Sequence, residues 1–132
     1  MGAVAAFSLT VVAGLGQEWK HLPPTRESPD VVAAVARLRT LVPAGSLVAT
    51  DHQIVPYLAG DRQPPDLVDV SQVRIQSAEL TLAALLQESA GARAFVVGRA
   101  LSGNATLLAA LGRRYRTRID IGSVTIFANP RR

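Results

Sequence analysis

The chain has 132 residues, 48% of them hydrophobic and only 5% aromatic, with a formal net charge of +4 and a mean hydropathy of +0.23. A chain of that size holds one domain with a real core, here an aliphatic one, and its hydrophobicity excludes a disordered polymer. The lack of cysteine excludes a disulfide framework and a thiolate metal site, and His21 and His52 lie far apart in sequence and form no metal-ligand pair, so no metal is expected.

Residues Gly2 to Gly16 carry no charge. The run is shorter than the roughly 20 apolar residues that span a bilayer, and it lacks the positive start of a signal peptide. Trp19, Lys20 and His21 then follow at the place of an interfacial anchor. Residues 1–18 are therefore expected to be the end of a transmembrane helix or an apolar lead segment, with a buried structural segment as the alternative. Residues 19–29 read as a linker stiffened by Pro23 and Pro24, and residues 30–132 as a single α/β domain.

Ser28, Pro29 and Asp30 form a helix start: a cap, a first-turn proline and an acid at the positive end of the dipole. Val31, Val35, Leu38 and Val42 give that helix one apolar face, and Pro43-Ala44-Gly45 ends it. Ser46 to Thr50 reads as a buried strand. Asp51 then caps a second helix, shortened or kinked by Pro56 and ended by Gly60. Pro64 and Pro65 argue against helix, Asp66 to Val70 alternates like a short strand, and Ser71 to Ser77 reads as a connector. Thr81 opens a helix that runs to Gly91, and Arg93 to Gly98 is a buried strand. Ser102 or Asn104 caps the last helix, and two strands joined by Gly122-Ser123 form a hairpin. This order predicts a three-layer α/β fold, with a mainly parallel sheet, helices on both faces and a C-terminal β-hairpin at the edge.

Ligands of open α/β sheets bind outside the carboxyl ends of strands, which makes Asp51, Arg99 and Asn104 candidate ligand-binding residues. Asp51 beside His52 has the composition of an acid-base pair, but an aspartate between strand and helix is more often a cap. Neither strand-to-helix turn carries a phosphate-binding glycine loop, although Gly98, Gly103 and Asn104 have amides to offer an anion. Asp66, Asp69, Arg62 and Arg74 are candidates for two charge pairs, and Asp69 and Ser71 for turn-holding hydrogen bonds. Arg113, Arg114, Arg116, Arg118, Arg131 and Arg132 read as a solvated basic face and tail. With no aromatic stacking set and no recognition motif beside them, nucleic acid is not an expected partner.

The run from Leu47 to Thr81 resembles part of a known family. Asp51, Gly60, Arg62, Pro64, Pro65, Leu67, Asp69, Ser71, Arg74, Ile75, Leu80 and Thr81 follow the pattern strand, Asp, short helix, Gly-x-Arg, Pro-Pro-x-Leu-x-Asp, Ser, Arg-Ile, Leu-Thr. That order is similar to the small C-terminal extracytoplasmic domain of bacterial polytopic membrane glycosyltransferases, the group of the protein O-mannosyltransferases and aminoarabinose lipid A transferases. The resemblance implies a parent enzyme that moves a sugar from a polyprenyl-phosphate donor, at the cell membrane, with this domain on the extracytoplasmic side. It implies no catalytic residue and no cofactor in this chain, an architectural job for the motif, and the membrane-embedded remainder of the same polypeptide as partner. A lipid-linked donor or acceptor is a further possible partner. The competing readings are an independent Rossmann-like ligand-binding or enzyme domain and a basic nucleic-acid module.

Overall fold

The computed structural model describes residues 27–130. The expected membrane-helix end, most of the linker and the terminal arginines lie outside the described residues. Among the described residues no helix is long and apolar enough to cross a membrane.

Helix α1 (Pro29–Leu41) starts as its sequence predicts. Ser28 Oγ accepts from the Val31 amide at 3.4 Å, and Val31, Ala34, Val35, Leu38 and Leu41 form the buried stripe. Strand β1 (Val48–Thr50) is buried throughout. Helix α2 (Ile54–Ala59) is short and ends at Gly60, whose φ of +80° is the left-handed conformation that glycine adopts without strain. The remaining elements are a 3₁₀ turn (Pro65–Leu67), α3 (Gln72–Gln76), α4 (Leu82–Glu88), β2 (Ala94–Val97), α5 (Ala105–Arg114), β3 (Thr117–Ile121) and β4 (Val124–Ala128).

The fold is mixed α/β, with a four-stranded sheet in the order β1-β2-β4-β3. The expected predominance of parallel pairing is wrong. Only β1 and β2 pair in parallel, while β2–β4 and β4–β3 are antiparallel. The cause is the hairpin. Strand β3 runs in the same direction as β1 and β2, but the Gly122-Ser123 turn sends β4 back between β2 and β3, and β4 takes the ladder that a parallel neighbour would have used. Strand β3 is left as the outer edge. At the other edge, Arg62 covers β1: its amide donates to the Ser46 carbonyl and its carbonyl accepts from the Val48 amide, both at 2.8 Å.

Two apolar clusters lie on the two sheet faces, because successive strand residues point to opposite sides. Ala94 and Val96 of β2 join Val48, Ile126 and the buried faces of α1 and α2. Phe95 and Val97 join Ala49, Phe127, Leu67, Leu85, Leu107 and Leu111.

Three further expectations fail in the central segment. Asp66 to Val70 is not a strand: Leu67 and Val70 are buried and Val68 and Asp69 exposed, a spacing of three that suits a tight helical turn. Pro65 does not forbid that turn but starts it, where its missing N–H is not needed. The connector at Ser71 to Ser77 holds α3, with Ser71 Oγ accepting from the Arg74 amide at 3.4 Å. Helix α4 also stops at Glu88, short of Gly91.

The sheet has two distinct ends. One holds Thr50, Val97 and the β3–β4 turn, since Val97 lies opposite Thr125 and Ile121 opposite Val124. There Asp30 of α1 accepts from the Ser123 amide at 2.9 Å and its hydroxyl at 3.0 Å, so α1 begins at this end. The other end gathers Arg93, Arg116 and Asn129, joined through the Asn129 amide to the Arg93 carbonyl and the Arg116 amide to Asn129 Oδ1.

Candidate functional site

The site forms where the two parallel strands stop. Thr50, the last residue of β1, is buried, and its Oγ1 accepts from the His52 amide at 2.7 Å, a side-chain turn that bends the chain out of the strand. Asp51 is thereby directed across to the end of β2. Its carboxylate accepts from the Gly98 amide in a short hydrogen bond and from the Leu101 amide at 2.8 Å. Gly98 and Leu101 are both buried, so the carboxylate supplies acceptors for two amides that leave the ladder with no strand partner.

Asp51 therefore does not cap α2. The residue before that helix is Gln53, and it makes no side-chain cap. The amides that the sequence offers to an anion are also partly spent: the protein's own carboxylate takes that of Gly98, and the Asn104 amide donates to the Leu101 carbonyl at 3.0 Å.

His52 lies against Gly98. A Cβ on Gly98 would sit 2.8 Å from His52 Cβ and 3.0 Å from Cδ2, so only glycine allows this approach. Asp51, His52, Gln53, Ile54, Arg99 and Ala100 line an open groove of about 670 Å³ outside the strand ends. Gln53 is held from below, its Nε2 donating to the Val68 carbonyl at 3.0 Å. Among the described residues, no hydrogen bond or ion pair engages the His52 ring or the Arg99 guanidinium.

The structure thus brings together two of the three expected ligand-binding residues, Asp51 and Arg99. Asn104 is elsewhere. It caps α5, with Oδ1 accepting from the Leu107 amide at 2.9 Å. Ser102, the other cap candidate, donates to the Arg99 carbonyl instead. Sequence reasoning missed Gln53, Ile54 and Ala100 as lining residues. Their only sequence signal is adjacency to a strand end. Among the described residues no group of three metal-ligating side chains occurs.

The residues of the Leu47–Thr81 pattern lie around the first sheet edge and below it. Gly60 ends α2, Arg62 borders β1 and donates Nε to the Gly45 carbonyl at 3.0 Å, and Pro64 is buried ahead of Pro65. Ser71 and Thr81 cap α3 and α4. The proposed charge pairs between Arg62, Arg74, Asp66 and Asp69 do not form. Arg74 Nη1 donates to the Asp69 carbonyl at 2.6 Å, and its carboxylate neighbour is Glu79 at 3.8 Å. A guanidinium with a backbone carbonyl in reach closes the turn locally, where a side-chain pair would have to order two mobile groups.

Compared with protein-family models, curated proteins and solved structures, the chain matches none.

Proposed function

We propose that this chain is a non-catalytic extracytoplasmic accessory domain of a bacterial membrane glycosyltransferase, one that transfers a sugar from a polyprenyl-phosphate donor. The observation that carries the reading is the ordered Leu47–Thr81 pattern. The geometry supports it in one respect. Where Arg62, Ser71, Arg74 and Thr81 make hydrogen bonds, they make them to their own backbone, as residues of a folding signature do. Helix α1 begins at the end of the sheet that holds the groove, so a membrane anchor joined ahead of it would enter the described domain from that end.

The test is the genomic reading frame upstream of codon 1, followed by fractionation of the native product. The reading expects the frame to continue into several hydrophobic spans and the product to resist alkaline extraction from membranes. A stop codon directly upstream, with a product that washes off membranes, overturns it.

One observation favours a second reading, an independent α/β ligand-binding domain. The groove lies outside the carboxyl ends of the parallel strands, the place where open α/β sheets hold small molecules.

A further inference from the structure

We propose that the groove at the ends of β1 and β2 binds a phosphorylated small molecule, with Arg99 and His52 holding the phosphate and Ile54 and Ala100 bordering its organic body. The argument starts from what the site withholds. Among the described residues Asp51 is the sole carboxylate on the groove wall, and both its oxygens are engaged with the Gly98 and Leu101 amides. Arg99 is therefore left without an acidic partner among the described residues, and its guanidinium stands exposed at the rim.

The imidazole is the second observation. Gly98 leaves room for the His52 ring against the backbone, which sets the ring on the groove wall with no hydrogen-bond partner among the described residues. The imidazole and the guanidinium both offer N–H donors to this groove. A carboxylate commonly spends its two coplanar oxygens on a bidentate contact with the guanidinium. A phosphate ester presents at least two further acceptor directions and reaches both donors at once. The volume of about 670 Å³ exceeds what a bare phosphate fills and falls in the range of small-molecule pockets. The groove therefore has room for an organic body beside the phosphate.

This inference goes beyond the accessory-domain reading and does not depend on it. The phosphate can belong to a soluble ester or to a lipid headgroup, and the experiment separates the two. The full 132-residue chain in detergent is titrated with glucose 1-phosphate, inorganic phosphate and glucose, and separately incorporated into vesicles with and without phosphatidate. Backbone amide NMR shifts of Gly98, Arg99 and Leu101 are followed.

A saturable shift with glucose 1-phosphate assigns a soluble ester, and one confined to phosphatidate vesicles assigns a headgroup. In either case Arg99→Ala weakens binding about tenfold, the loss of one charge-assisted hydrogen bond. His52→Gln weakens it as well, and the double variant Arg113→Ala/Arg116→Ala, at and just beyond the far end of α5, leaves it unchanged. The exposed position of Arg99 keeps the fold intact, which the remaining amide shifts verify. The proposal is overturned by no shift in any arm, by equal binding of glucose, by unchanged affinity in Arg99→Ala, or by equal loss in the double variant. None of these outcomes bears on what the upstream reading frame encodes.

Discussion

Two polar loops solve opposite problems in this molecule. The loop from Gly60 to Thr81 is dense in charge and proline, yet in its second half the hydrogen-bonding side chains bind within a few residues of themselves: Ser71 to the Arg74 amide, Arg74 to the Asp69 carbonyl, Thr81 to the Ala84 amide. The loop from Gly98 to Asn104 is shorter and less charged, but two of its amides are held by Asp51, 47 and 50 residues away. From Asp69 onward the first loop is closed by its own sequence, while its start, Asp61 to Gln63, is tied to Ser46, Gly45 and Gln53. The second is closed by a different strand, and that long-range closure is what opens a groove. Conspicuous composition marks the self-contained loop, and the candidate site lies beside the inconspicuous one.

The largest effect is expected at the long-range closure. Asp51→Ala strands two buried amides, and each lost hydrogen bond to a charged group costs about 1.5–3 kcal/mol. A total near 3 kcal/mol is expected from urea unfolding. Asp51→Asn keeps one acceptor and loses about half of that. Equal stability of Asp51→Ala and the parent chain would mean that water serves these amides and that the two loops do not differ.

Next comes Gly98→Ala. The added methyl meets the body of His52, backbone side, at 2.8 Å, where a rotamer change gives little relief. A loss of about 1–3 kcal/mol follows, as for other overpacked sites. Pairing it with His52→Gly sharpens the comparison: removing Cβ and the ring together recovers most of the loss if the clash is its cause. A loss that persists in the double variant points to the backbone of Gly98 instead.

What was legible in the sequence follows the same division. Ser28, Thr81 and Asn104 announce helix starts because capping is decided within three residues, and Gly122-Ser123 announces its hairpin for the same reason. The insertion of β4 between β2 and β3 was not legible. Either strand of the hairpin can pair with β2, and the choice belongs to packing of Ile126 and Phe127 on the two sheet faces. The segment Asp66 to Val70 misled because Val68 and Val70, two apart, suggest one face of a strand, whereas the residues actually buried are Leu67 and Val70, three apart. At the site, Asp51 and Arg99 were visible from the strand-end rule. The contact of His52 with Gly98 was not, since no local pattern marks a glycine that serves a side chain from another strand.

The self-contained loop is expected to respond weakly. Ser71→Ala and Thr81→Ala each remove a cap worth about 1 kcal/mol. Arg74→Ala removes an exposed hydrogen bond to a carbonyl and costs about 0.5 kcal/mol. These losses add when combined, because each acts within its own turn. A combined loss far above the sum would show the loop to be coupled to the rest of the fold, and the contrast with Asp51 would collapse.

The smallest effects separate two carboxylates by sign. Burial pushes the Asp61 carboxyl above its ordinary 3.8, against the Ser46 amide that donates to it. The folded state therefore holds this proton more tightly than the unfolded chain does, so its contribution is fully present below the unfolded value and is lost as pH rises through the folded one. Asp120 is the reverse. The Thr125 hydroxyl and Arg118 hold its carboxyl below 3.8, so its contribution is present above the unfolded value and is lost as pH falls. Asp61→Asn should accordingly gain on the parent chain as pH is raised from roughly 3 to 6, while Asp120→Asn falls behind it over the same range. Urea midpoints across that range measure both. Asp120 is exposed on β3 and Asp61 half-buried beside the turn into β1, so in about 1 M salt the Asp120 slope alone should flatten, and only by the share that Arg118 contributes beside the Thr125 hydroxyl. If both slopes flatten together, Asp61 is governed by charge and not by burial, and the loop that Asp61 and Arg62 close is less sheltered than its hydrogen bonds imply.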